Sequence, residues 1–314
     1  MLHVDPLIKK CQMCGIPLMV RNKKSKFCPV PAYCRYDNQQ RKRNPKIVNL
    51  MQNRDSNFYY LLGLIASDGH LHSNSYGVEI TINTKDINVL FEIQNLYGGA
   101  ITNKKDHTSI WRVSYKPFYE YLLSIGITTL KSLTLNIEKF FNSLSIDNKI
   151  HFIRGIVDGD GGVRVYEYFN KRRNQLTCYL HFDICSGSEN LLKTIANFIN
   201  NQFKQSLVNV KYESKAKAFY IKKVGAILPI NLLEFLYSNF SKNCIGINRK
   251  YYTFISYKQF YNNTKNKTKK VEPSLKARGR LFEFESDSYI PNELKRVQSF
   301  GVTTNELRFS KINK

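Results

Sequence analysis

Residues 61–70, LLGLIASDGH, end an apolar run on an aspartate followed by glycine, and residues 152–161, FIRGIVDGDG, do the same. Laid on each other, Gly63 falls on Gly155 and Asp68 on Asp160, a separation of 160 − 68 = 92 residues. A repeat of that length is two copies of a small domain, not a solenoid unit. Each run reads as a helix, and a glycine inside a helix costs up to about 1 kcal/mol relative to alanine. Two such glycines at equivalent positions predict two helices packed backbone to backbone, with Asp68 and Asp160 side by side at their ends. Helix C-termini carry negative partial charge, so a carboxylate there is misplaced by up to ~1 kcal/mol. A hard divalent cation between the pair, Mg²⁺ or Mn²⁺, resolves the repulsion with oxygen ligands. Gly69 reads as the residue that ends the first helix in the left-handed conformation.

The order around each run is helix, strand, strand, helix, strand, strand, helix. In VEITIN, Val78, Ile80 and Ile82 alternate with Glu79, Thr81 and Asn83, a half-buried strand. Asp86 reads as the cap of a helix that Gly98 and Gly99 end, and Ser188 as the cap of its counterpart. The second copy has a longer hairpin tipped by the basic NKRRNQ. Helices 58–67 and 150–159 open the two copies, which divide the chain into 57–148 and 149–260. Residues 37–56 and 261–280 read as basic linkers.

Lysine and arginine number 48 against 24 acids, a formal charge of +24, which points to a polyanion. An anionic membrane and a ribosomal-type RNA role are the alternatives. No apolar stretch reaches the ~18 residues of a membrane span, and the N-terminus has no signal-peptide core. The seven cysteines are thus expected in an intracellular protein, not a secreted one. Cys178, Cys185 and Cys244 are scattered and read as packing residues.

Four cysteines, Cys11, Cys14, Cys28 and Cys34, stand in two pairs around a short basic loop. That spacing suits a structural tetrahedral Zn²⁺ site in a 1–36 module, against the alternative of four free thiols in a disordered arm. Lys23, Lys24 and Lys26 on the loop, with Arg41 and Arg43 after it, are candidate phosphate contacts. Residues 281–314 read either as a helix-turn-helix, with Thr303 or Thr304 as cap and Arg308 and Lys311 presented, or as a helical tail on the main domain.

At LLGLIASDG and IRGIVDGDG the chain resembles the LAGLIDADG homing endonucleases in their single-chain, two-motif form, over roughly 57–260. The resemblance implies an α+β fold of two pseudo-symmetric αββαββα repeats whose sheets form a saddle over double-stranded DNA. It further implies a monomer with an internal pseudo-two-fold axis, a long recognition site and metal-dependent cleavage of both strands. Carried over, the metal-coordinating acids are Asp68 and Asp160, helped by the carbonyls of Ser67 and Gly159. The sixth motif position is Asp158 in the second copy and Ala66 in the first, a departure that bears on helix-end structure more than on cleavage. The resemblance also implies a catalytic basic residue near the scissile phosphate after the last helix of each copy, which falls on Lys131 in the first and on Lys250 or Arg249 in the second. His70, His72 and His151 are expected on the DNA face or in packing.

Strand alternation then gives the DNA-side candidates as Glu79, Thr81, Asn83, Arg112, Ser114, Arg164, Tyr166, Tyr179, His181, Lys211, Tyr220 and Lys222. A non-cleaving alternative on the same fold is a DNA-binding regulator or an intron maturase. Richness in Lys, Asn, Ile and Tyr suggests an AT-rich genome, that of a phage, a bacterium or an organelle.

Overall fold

The computed structural model describes residues 44–104, 106–129, 131, 135–170, 175–240 and 244–267. The four paired cysteines, Lys23, Lys24, Lys26, Arg41, Arg43 and the 281–314 segment lie outside the described residues.

The expected linker before the first repeat is structured at its end. A 3-10 turn, Pro45–Val48, runs into the helical turn α1 (Asn49–Gln52). Ile47 and Leu50, three residues apart, share one face and are fully buried. The Asn49 side chain donates to the Leu96 carbonyl at 2.8 Å and Lys46 to Asn95 at 3.1 Å. Apolar spacing thus overrides the basic composition of this stretch.

Repeat one is α2 (Ser56–Asp68), β1 (Gly69–His72), β2 (Gly77–Asn83), α3 (Asn88–Tyr97), β3 (Ala100–Asn103), β4 (Thr108–Ser114) and α4 (Lys116–Ser124). A short helix, α5 (Glu138–Ser143), leads to repeat two. That is α6 (Ile146–Asp160), β5 (Gly161–Asn170), β6 (Gln175–Ser186), α7 (Glu189–Phe203), β7 (Val210–Glu213), β8 (Ala218–Gly225), α8 (Ile227–Leu236) and α9 (Asn248–Lys267). The class is α+β, as the two motifs imply. Each repeat forms a four-stranded antiparallel sheet, ordered β1-β2-β4-β3 and β5-β6-β8-β7.

Three boundaries differ from expectation. Helix α6 begins at Ile146, ahead of the 148/149 division, because Ser145 caps it by accepting from Asn148 N. Helix α9 runs through Tyr261 to Lys267, past the expected start of the second linker at 261, with Phe254, Tyr257 and Phe260 buried along it. Asp86 caps no helix: α3 starts from Ile87 without a side-chain cap, and Asn83 caps the preceding 3-10 turn by accepting from Lys85 N.

The core is where the pattern puts it. Val78, Ile80 and Ile82 of β2, and Leu180, Phe182 and Ile184 of β6, face inward and are buried. Helices α3 and α4 cover the first sheet with Leu90, Ile93, Phe118 and Leu122; α7 and α8 cover the second with Leu192, Ile195, Leu232 and Leu233. Each such side chain contributes ~1.5–3 kcal/mol on burial. The helices occupy one face of each sheet, and the opposite faces carry the polar alternates.

Candidate active site

Helices α2 and α6 cross with their glycines in contact. A Cβ built on Gly63 meets the Phe152 carbonyl oxygen at 2.0 Å, and one on Gly155 meets the Tyr60 carbonyl oxygen at 2.1 Å. No larger residue fits at either position, which accounts for the two mid-helix glycines. Asp55 caps α2 by accepting from Phe58 N at 2.9 Å, so both helices start from side-chain caps and end on an aspartate.

The stop after each aspartate is not the left-handed turn expected of Gly69. Gly69 has φ −76° and ψ 156°, and Gly161 has φ −99° and ψ 169°. Both are extended and pass directly into β1 and β5. Glycine is needed for space: a Cβ would lie 2.4 Å from the Ile65 carbonyl oxygen at Gly69 and 2.5 Å from that of Val157 at Gly161. The chain doubles back tightly over its own last helical turn, holding each acid at the edge of a sheet.

The two acids share one environment. Burial pushes the Asp68 carboxyl up to about 6; the Asp160 charge adds to the rise, and Lys131 and Lys250 oppose it. Asp160 reaches the surface, yet the protein packed behind it raises its carboxyl too, again against the pull of Lys131 and Lys250. Gly159 lies against the other helix end: a Cβ there would meet Ser67 Oγ at 2.0 Å and Asp68 Oδ2 at 3.2 Å. Ser67 Oγ donates within the crossing, to the carbonyls of Leu64 and Gly63 at 3.1 and 3.2 Å.

Each helix end is also gripped by a lysine. Lys131 Nζ donates to the carbonyls of Ala66, at 3.0 Å, and Ser67. Lys250 Nζ donates to the carbonyls of Asp158 at 2.6 Å, Val157 at 2.7 Å and Gly161 at 2.9 Å. The ammonium groups neutralise the negative ends of α2 and α6, where two acids would otherwise be least welcome. Burial lowers both lysines from their ordinary value, against the raising effect of nearby acids.

A buried network positions Lys250 and was not foreseen. Asp158 Oδ2 accepts from Tyr60 Oη and from Ile247 N, both at 2.8 Å. Asn57 Oδ1 accepts from Ile245 N at 2.8 Å, and Arg154 donates to the Ile245 carbonyl at 2.9 Å. Both motif helices thereby clasp the segment that leads into α9. Asp158 is thus a helix-end structural residue, and Ala66 supplies no such clasp in repeat one. His151 lies in packing, bonded to Arg154, and burial lowers it to about 4.

A cavity of about 320 Å³ opens beside Asp68, with Asn83, Lys85, Gly159, Arg164 and Lys250 also on its wall. Arg249 also lines it and forms a two-pronged pair with Asp86 at 3.0 and 3.2 Å, tying α9 to repeat one. This is what Asp86 does in place of capping.

The sheet faces come out as the alternation requires. Thr81, Asn83, Arg112, Arg164, Tyr166, Lys211, Tyr220 and Lys222 are exposed or half-buried on the outward faces. His181 differs: it shares that face but is buried beside Tyr166, with ring centroids 5.3 Å apart. Both its ring nitrogens lack a hydrogen-bond partner among the described residues, and burial lowers its pKa. Glu79, also buried, accepts from His72 at 2.7 Å and from Arg112 Nε at 3.0 Å. Burial alone would raise Glu79; the bonds from Arg112 and His72 outweigh it and hold the carboxyl below its ordinary value.

Among the described residues, no cluster of three or more His, Cys, Asp or Glu side chains could hold a metal. The candidate set is two carboxylates with backbone oxygens near, all hard donors. It fits a cation such as Mg²⁺, which binds through one or two carboxylates and fills its other positions with water or phosphate oxygen. No helix among the described residues is long and apolar enough to cross a membrane.

No family model and no curated protein matches the chain. Solved structures do. The chain is similar to I-SmaMI bound to an uncleaved DNA target in the presence of calcium ions, at 13% identity over 67% of this chain and 92% of that one, with a TM-score of 0.47. It is similar also to the I-LtrWI LAGLIDADG homing endonuclease bound to target DNA, at 15% identity, 67% and 90% coverage and a TM-score of 0.47. Identities this low leave the site's chemistry to be argued from the residues themselves.

Proposed function

We propose that this chain is a metal-dependent endonuclease that cuts both strands of a long double-stranded DNA site. One observation carries the reading: two helix-end carboxylates are driven together by a glycine-on-glycine crossing, between two sheets with polar outward faces. A chain that only bound nucleic acid would gain nothing from paired acids at negative helix ends. The formal charge of +24 fits a polyanionic substrate.

Asp68 and Asp160 hold the divalent cation, with the Gly159 and Ser67 carbonyls beside them. Bound there, Mg²⁺ or Mn²⁺ supplies Lewis acidity for attack of water on phosphorus and positive charge against the developing phosphate charge. The lysines act differently from one another. Lys250 has its three protons committed to carbonyl oxygens, so it contributes charge and holds the end of α6 in place. Lys131 has two carbonyl acceptors among the described residues and keeps a proton for the leaving oxygen. Arg112, Arg164, Lys211, Lys222, Thr81, Asn83, Tyr166 and Tyr220 face the duplex, and Arg249 reaches it only at the edge of its pair with Asp86. Nicking of supercoiled plasmid by the full-length protein should require added Mg²⁺ or Mn²⁺; binding without cutting under every metal tested would favour the regulator or maturase reading.

Cys11, Cys14, Cys28 and Cys34 form a structural zinc site in the same account, supported by their spacing alone. A segment this small has too little core to fold without a metal. Elemental analysis should give one zinc per chain, and none after deletion of residues 1–45. A full-length protein without zinc would refute the site.

A further inference from the structure

The two outward sheet faces carry an acid at the same place. Gly69 pairs with Ile80 and Gly161 with Ile184, so Glu79 stands opposite His70 and Asp183 opposite Gly162. His70 and Gly162 each stand two residues past a helix-end acid, Asp68 and Asp160. An acid on a face turned towards a polyanion is repelled by it, and here one recurs in both repeats.

Each acid holds an arginine, and the arginine comes from a different strand in each repeat. Arg112 on β4 bonds Glu79 through Nε at 3.0 Å and through one terminal nitrogen. Arg164 on β5 bonds Asp183 at 2.8 Å. The acids are sunk, with side chains 10% and 19% exposed, while the arginines are 57% and 50% exposed. Gly162 makes room for the second pair: a Cβ there would lie 2.4 Å from Asp183 Oδ1 and 2.5 Å from Arg164 Cζ. Its φ is not the reason for the glycine; the seat of the guanidinium is.

We infer that Glu79 and Asp183 are positioning residues that fix Arg112 and Arg164 as guanine readers next to the cleavage centre. The inference rests on the DNA-cleaving reading and adds the base that each face selects. A guanidinium has five N–H groups in a rigid fork. Arg112 commits one edge to Glu79 and turns its remaining donors outward, where they match the O6 and N7 acceptors of guanine in the major groove. Holding the fork in advance reduces the ordering cost of the contact. The carboxylate also discriminates: its charge repels a phosphate and leaves the neutral guanine edge favoured. Glu79 itself is too deeply buried to accept from a cytosine amine.

The test is selection of duplexes from a randomised library by the full chain in EDTA, where cutting is prevented. Wild type should enrich guanine at one position on each side of the site centre. Glu79→Gln and Arg112→Gln should both flatten the preference at the first position, by about 5- to 150-fold, the range of one bidentate base contact. Asp183→Asn, Arg164→Gln and Gly162→Ala should do so at the second, with the first unchanged. The arginine variants alter exposed side chains and keep the test decisive if an acid variant does not fold. If Glu79→Gln and Asp183→Asn tighten binding to all duplexes alike with base preferences intact, the acids only offset charge and the inference is wrong. Flattening by acid and arginine variants at unmatched positions would also overturn it. A wild-type chain that enriches no duplex would overturn the endonuclease reading with it.

Discussion

Asp68 sits where local physics disfavours it, and the mismatch has a measurable sign. Its carboxyl is pushed up to about 6 by burial and by Asp160, against ~3.9 in an unfolded chain. The folded chain therefore keeps this proton to higher pH than the unfolded chain does. Stability from the group is fully present below pH ~4 and is lost as pH rises through about 6. Above that the ionised site costs about 2–3 kcal/mol without a cation. Asp68→Asn removes the charge, so in EDTA at pH 8 its Tm should exceed wild type by roughly 4–10 °C. The gap should close towards pH 4. Melting curves at the two pH values check this; a variant less stable than wild type at pH 8 would contradict it. Sequence alone made Asp68 and Asp160 legible because the motif repeats. It could not disclose Asp158 as a clasp for Ile247, or Glu79 and Asp183 as one position. Those roles depend on register, and the longer hairpin of repeat two offsets the spacing that would have matched the last pair.

The helix crossing is the element on which the site depends. The Gly63 and Gly155 positions each lie against the partner's backbone, which cannot rotate away as a side chain can. Gly63→Ala or Gly155→Ala should therefore destabilise the fold by about 3 kcal/mol or more, at or above the upper end for overpacked cores. Urea unfolding should show this as a lower midpoint; a loss under about 0.5 kcal/mol would mean that the helices separate easily. Elements with clear periodicity, such as β2 and α7, were legible from alternation and caps. The misreadings came at the joins. Residues 37–56 read as a basic linker by composition, yet Ile47 and Leu50 within them pack against the protein. Residues 261–267 read as a linker because their composition is polar and basic, yet they prolong α9. Gly69 fits a helix stop by composition, but close approach to Ile65 decides its use, and only the folded chain contains that contact.

At the scale of the molecule, two sheets lie on either side of one pair of acids, with helices behind them and polar residues in front. Contact across both faces implies many neutralised phosphates, and log K should fall with log[salt] by about 0.9 per phosphate. With six to ten such contacts, affinity should drop by roughly 10³–10⁵ between 50 and 200 mM salt. A flat response in a titration series would rule out the extended contact. The central claim, that Asp68 and Asp160 form one cutting centre, is tested most directly with a duplex recovered by selection and the full-length protein in Mg²⁺. Double-strand cleavage should vanish in Asp68→Asn and in Asp160→Asn separately, while each variant binds the duplex as tightly as wild type or tighter. Cleavage of both strands at the wild-type rate by either variant would contradict the account.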